Sequence, residues 1–205
     1  MREILFRGKD IDGSSWYTGS YMTLSDTTYC IDTDYAMHPD NTKHYIVFDR
    51  MTDWGLPNRH MQAQVDPNSI GQFTGMHEFV MTDKSAQRPL FEGDIVELWS
   101  RRRLPTESYY TEKSQHDGEC KIRAVIVFKN GEWRLDYNNE YNNKIAVARG
   151  NELYDRAVNR NYSLFDVYPG FHGDMDKYRE MNKRHKSHDI VCIGNIFDNP
   201  ELLKE

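Results

Sequence analysis

The sequence predicts a mainly β protein, and three observations carry that prediction. Short runs of β-branched and aromatic residues recur along the 205-residue chain, separated by turn formers rather than by helical stretches. Aromatic residues reach 13%, with thirteen tyrosines and four tryptophans, a wealth that suits strands and flat contact surfaces. The segment VIVFKNGEWRLDY then writes out a complete hairpin.

The elements follow in chain order. Strands are expected at residues 4–7 and 16–22, flanking KDIDGSS, whose Asp12-Gly13 pair signals a turn. Further strands are expected at 28–32, 44–49 and 79–82. Between them lies VDPNSIGQFTGM, residues 65–76, with Pro67, Gly71 and Gly75 set among single apolar residues. It reads as architecture: the glycines and proline set backbone angles, and Val65, Ile70 and Phe73 plug a core. Gln72 and Thr74 are of the type that bonds neighbouring backbone in turns.

The later part opens with FEGDIVELW, a Gly93-Asp94 turn leading into a strand at 94–99. Bulky residues on both faces of that strand predict that it is covered on both sides. A long polar excursion, residues 100–119, follows, and an excursion of this length inside a compact domain is usually functional or mobile. In the hairpin, Asn130-Gly131 suits a two-residue type I′ turn, because both central positions need positive φ. That turn sets Lys129 opposite Glu132, Phe128 opposite Trp133, Ile126 opposite Leu135 and Ala124 opposite Tyr137. Phe128, Trp133, Ile126, Leu135, Ala124 and Tyr137 then share one apolar face. Val127 with Arg134 and Val125 with Asp136 make the other face mixed and wetter.

Short helices are expected at 152–159 and 174–186. The second has Met175, Tyr178 and Met181 at helical spacing, acids at its start and bases at its end, an order that favours the helix dipole. A strand at 190–193 closes the chain, with Gly194-Asn195 permitting a bulge and Asn199-Pro200 ending the run.

The formal net charge of −6 supplies no global basic field for a polyanion. No run approaches the ~18 apolar residues of a membrane span, and Ile4-Leu5-Phe6 falls short of a signal peptide's ~7–15-residue apolar region. Cys30, Cys120 and Cys192 are odd in number and far apart, which points to a reducing cytoplasm rather than a disulfide framework.

Phosphate-loop, dinucleotide, GxSxG and HExxH signatures are absent. Three constellations have the residue types for chemistry. His172, Asp174 and Asp176, with His185, His188 and Asp189, have the spacing of a divalent-metal site, or of a polar helix start with an exposed basic turn. Arg101 to Arg103, near Trp99, Tyr109 and Tyr110, and separately Arg179, Lys183, Arg184, His185 and Lys186, suit phosphate contact and base stacking, or a solvated surface. Glu92 and Asp94 have the types of an acid–base pair, but a turn aspartate that bonds backbone amides is far commoner. The residues therefore nominate no catalytic site, no metal and no cofactor.

The ordered blocks MREILFRGKD, VDPNSIGQFTGM, LFEGDIVEL and VCIGNIFDNPELL span nearly the whole chain and together resemble the YopX family of phage and prophage proteins. Residues 84–89 and 138–188 look enlarged beside the family pattern, and Asp198 stands where the family often has glutamate. The resemblance implies an N-terminal β subdomain over residues 1–84, with the 65–76 block linking it to an SH3-like small barrel over 85–205. That barrel would carry long insertions at 100–119 and 138–188. The resemblance implies no catalytic residue, cofactor or substrate.

The leading expectation is a non-catalytic protein-binding or assembly module, self-association included, working in the cytoplasm of a bacterial host. A nucleic-acid-binding accessory protein using the basic clusters is the alternative. A metal-dependent hydrolase built on His172, Asp174 and His188 is the second.

Overall fold

A computed structural model describes residues 3–28, 30–37, 42–79, 88–100, 120–149 and 190–204. The architecture is mainly β, and the chain divides into two compact units, Met1–Gly75 and Met76–Glu205.

The first unit is built from β1 (Phe6–Lys9), β2 (Trp16–Ser25), β3 (Thr42–Arg50), β4 (Arg59–Gln64) and the start of β5 (Gly71–His77). They lie in the order β4-β3-β2-β1-β5, and each of these pairings is antiparallel. The turn of KDIDGSS closes as expected. Asp10 accepts the Ser14 N–H at 2.7 Å, the Ser14 hydroxyl at 2.9 Å and the Ser15 N–H at 3.3 Å. Partial desolvation raises the Asp10 carboxyl, but these bonds outweigh it and hold the group below its ordinary value.

β2 is long because it serves two partners. Trp16 to Gly19 pair with β1, and Ser20 to Ser25 pair with β3. Gly19 stands at the changeover, where an added Cβ would lie 2.1 Å from the Val47 carbonyl oxygen. No rotamer relieves a clash with backbone. Gly19→Ala is therefore expected to destabilise this unit by about 1–3 kcal/mol, the range for overpacking, read as a lower denaturation midpoint with an unchanged slope.

The 65–76 block is architecture, although of a different kind from the turns expected. Asp66 caps a 3-10 turn at Pro67–Ser69 through the Asn68 N–H. The Ser69 hydroxyl accepts the Lys9 N–H at 2.8 Å, tying the turn to β1. From Gly71 the block becomes β5, pairing Gln72 with Phe6 and Gly71 with Arg7. Only Gly75, of the two glycines, has a left-handed φ, at 86°. Val65 and Phe73 are buried as expected, whereas Ile70 is half-buried. The strand expected at 28–32 is not formed: the described residues there are irregular, and Asp32 opens a short helix, α1 (Asp32–Met37). Two acids in the first turn of α1 suit a helix start better than a strand.

The second unit contains the end of β5, β6 (Pro89–Phe91) and a four-stranded antiparallel sheet. That sheet comprises β7 (Asp94–Ser100), β8 (Cys120–Lys129), β9 (Glu132–Asp136) and β10 (Ile190–Asn195), in the order β10-β7-β8-β9. Phe79 adds a bridge to Ile190 beside β10, with bonds of 3.0 and 2.8 Å. Among the described residues the strands close no barrel.

The hairpin forms in the expected register, from Lys129↔Glu132 to Val125↔Asp136, with φ of 56° at Asn130 and 82° at Gly131. Five of its six apolar-face residues are buried in the core, packed with Leu90, Val96, Leu98 and Ile190. Phe128 departs from the expectation: it is 53% exposed, because it stands at the hairpin end. β7 is covered on both faces as expected, with Asp94, Ile95, Val96, Glu97 and Leu98 all buried. The bulge expected at Gly194 appears as a register shift between Cys192 and Gly194.

An unanticipated helix, α2 (Glu140–Arg149), follows β9. Asn139 caps it by accepting the Asn142 N–H at 2.9 Å, and Glu140 complements the dipole. The helices expected at 152–159 and 174–186 lie outside the described residues.

Candidate functional site

Two places in the described chain gather polar or apolar groups beyond what strand pairing requires. The first is a polar hub on β8. Glu97, on the neighbouring β7, meets Lys121 at 2.9 Å and the Arg123 Nε at 3.7 Å. Arg123 also donates to the Leu202 carbonyl at 2.6 Å and lies 3.9 Å from the Tyr141 ring centre. Its backbone N–H donates to Asn142 Oδ1, while its carbonyl accepts from the Asn139 and Asn142 amides. This one residue fastens α2 and the 3-10 turn at Pro200–Leu203 to the sheet. The hub is a joint between elements, and its groups face one another.

The second place is the outer side of the first unit's sheet. β4 is its last strand, bonded to β3 alone among the named strands. The Val65 N–H donates to the His44 carbonyl at 2.9 Å, which sets the phase of the β3–β4 ladder. Odd-numbered residues of β4 therefore exchange hydrogen bonds with β3, and His60 and Gln62 turn their N–H and C=O groups away, while at the Gln64 end that outer side is met by the end of β1, where Asp10 bridges Val65 and the Lys9 carbonyl accepts the Asp66 N–H at 2.9 Å. Over His60–Gln62 the strand holds no proline, glycine or bulge.

The loop joining β3 to β4 presents Met51, Trp54 and Leu56, exposed by 68%, 91% and 60%. It is held open by its own bonds: Asp53 accepts the Trp54 N–H at 2.7 Å, and the Thr52 hydroxyl donates to the Pro57 carbonyl at 3.0 Å. At its base Arg50 and Arg59 are paired across the two strands. On the other face His60 and Asp49 meet at 2.6 Å. At the start of β3, Lys43 is held above its ordinary value by the hydrogen bond and charge of Asp26, 2.8 Å away.

The sequence candidates fare unevenly. Asp94 is a turn aspartate: its buried Oδ2 accepts the Phe91 N–H at 2.7 Å, and Gly93 takes a φ of 80° between them. Gly93 also donates to the Ile126 carbonyl and accepts from the Ile196 N–H, so the EGD turn stitches β8 to the chain's last turn. Asn195 completes that turn by accepting the Phe197 and Asp198 N–H groups, both at 2.9 Å. Arg101 to Arg103, Tyr109, Tyr110, His172, Asp174, Asp176, Arg179, Lys183, Arg184, His185, Lys186, His188 and Asp189 all lie outside the described residues, as does the side chain of Trp99.

The β4 edge and the 51–56 loop were not anticipated. Trp54-Gly55 between two runs of polar and apolar alternation was the available signal. Among the described residues, no helix is long and apolar enough to cross a membrane, and no three His, Cys, Asp or Glu side chains group as metal ligands would. Comparison with known proteins finds no matching family model, no matching curated protein and no matching solved structure.

Proposed function

We propose that the chain is a non-catalytic binding and assembly module that recognises protein by adding a strand to β4. The observation that carries this reading is the outer side of β4 at His60 and Gln62, whose backbone groups point away from β3 beside the exposed 51–56 loop, with the Gln64 end closed by the end of β1. Such an edge offers main-chain affinity to any extended segment, and flanking side chains supply selectivity. The exposed Met51, Trp54 and Leu56 beside it support the reading, since clustered apolar groups on a surface mark interaction sites.

The four sequence blocks support a protein of the YopX type, working in the cytoplasm of a bacterial host. The β7-β8-β9 meander, with β10 returning beside β7, supports an SH3-type barrel for the second unit. Cys30 and Cys192, both free thiols, are in keeping with a reducing compartment.

Gln62→Pro tests the module. Proline at this position removes an outward donor and spares the β3–β4 ladder, so the fold should survive. Crosslinking in a lysate of host cells is expected to join the unaltered chain to protein through β4, and the variant should lose those products. An unaltered chain that yields no β4 crosslink would sink the reading.

A further inference from the structure

Resting on that reading, we infer that the strand received by β4 is acidic: an extended protein segment whose aspartate or glutamate carboxylate is held by Arg50 and Arg59 together. These two arginines stand directly opposite each other across the β3–β4 ladder, and both are exposed. Like charges directly opposed destabilise a strand pair, so the ladder carries a cost here that an anion between the guanidiniums would relieve. Among the described residues neither side chain has an ion-pair or hydrogen-bond partner. The nearby acids are engaged elsewhere: Asp49 meets His60 on the opposite face, and Asp53 accepts the Trp54 N–H.

Strand alternation fixes what the guest must carry. Arg59 and Met61 share one face with Arg50 and Phe48, and Tyr17 stacks on Phe48 at 5.2 Å. A guest bonded to the outward groups of His60 and Gln62 makes about four backbone hydrogen bonds. Its residue opposite Met61 extends the apolar ledge, and its residue two positions away, opposite Arg59, lies at the guanidinium pair. In an antiparallel guest both stand at positions without hydrogen bonds, where side chains approach most closely.

The two ends of the edge set the guest's reach. Past Gln62 the end of β1 meets the strand, so the guest extends the other way, past Arg59 toward the loop of Met51, Trp54 and Leu56. An acid flanked on either side, at two-residue spacing, by apolar side chains is the sequence that fits. A phosphodiester would also answer the arginines, but it brings no N–H donors for the outward carbonyls of His60 and Gln62. The net charge of −6 also gives a polyanion no long-range attraction.

The capped peptide Thr-Val-Thr-Glu-Thr-Val-Thr is the probe, titrated to millimolar concentration into the isotope-labelled full chain and followed by NMR. Its symmetry presents the same side chains in either strand direction. Saturable shifts are expected at the His60 and Gln62 amides and at the Arg50 and Arg59 side chains. Glutamine in place of the peptide's glutamate, Arg50→Gln and Arg59→Gln should each weaken binding by about fivefold, the upper end for an exposed ion pair. Arg50→Glu combined with Arg59→Glu should reverse the preference, so that the peptide with lysine for glutamate binds tighter, a result that a fold defect cannot produce. Gln62→Pro should abolish binding of every form. Peptides that bind alike whatever their charge, or arginine variants that leave affinity unchanged, overturn the acidic guest. Displacement of the peptide by oligothymidylate overturns it too, by assigning the arginines to phosphate. If the peptide fails to bind while β4 crosslinks persist in lysate, strand addition stands and only the acidic guest is excluded. Loss of both removes the module reading as well.

Discussion

Trp133→Ala is expected to lower the stability of the second unit by about 3–5 kcal/mol, the range for truncating a buried aromatic. Trp133 sits in the cluster formed by Leu90, Val96, Ile126, Leu135 and Ile190, and almost none of it reaches solvent. The indole is the largest side chain there, and its strand is laddered to β8 and β8 in turn to β7, so the cavity has little freedom to collapse. Near-ultraviolet circular dichroism on heating should show an earlier loss of tertiary signal. Phe128 supplies the contrast. It packs edge-on against Trp133, with ring centres 4.8 Å apart, yet is half exposed. Phe128→Ala should therefore cost only about 1 kcal/mol, near the value of one aromatic pair. Equal losses from the two variants would contradict the one-sided burial of the hairpin.

Asn142→Leu should have the next largest effect, about 2–3 kcal/mol, concentrated on α2. The Asn142 side chain is buried and makes three bonds: it accepts the Arg123 N–H at 3.1 Å, and it donates to the Arg123 carbonyl at 2.6 Å and to the Tyr137 carbonyl at 2.8 Å. Both carbonyls keep a second donor, from the Asn139 side chain and the Asn139 N–H. The Arg123 N–H has no such substitute, and a buried donor left unmet costs about 1–3 kcal/mol. Hydrogen exchange should quicken along Glu140–Arg149 while the β7–β8 ladder stays protected. Uniform quickening through the sheet would show that Asn142 supports the whole unit rather than the joint.

Much of the second unit was legible in the sequence. Asn130-Gly131 dictates one turn geometry, and from that turn the period of two assigns every hairpin side chain to a face. The EGD turn and the bulge at Gly194 could likewise be read from residues whose backbone freedom or short polar side chains have few other uses. α2 was not legible. Its segment, EYNNKIAVAR, lacks an apolar stripe at helical spacing, and what holds it is the Asn139 cap and the amides that reach β8. Residues 71–76 of the 65–76 block were read as turns because two glycines interrupt them, and pairing of Gly71 and Gln72 with β1 overrides that local preference.

The candidate site was less legible still. Nothing in RHMQAQ announces an edge, because whether a strand has one partner or two is a property of sheet order and leaves no mark on a single segment. The residues alone determined where the chain turns and which face of each hairpin strand is apolar, since those follow from φ preferences and from alternation. Only the tertiary structure decided that β4 turns His60 and Gln62 outward while the end of β1 meets its Gln64 end. The reason is physical: hydrogen-bond phase is set by the partner strand, and the chain meets that partner only once it has folded.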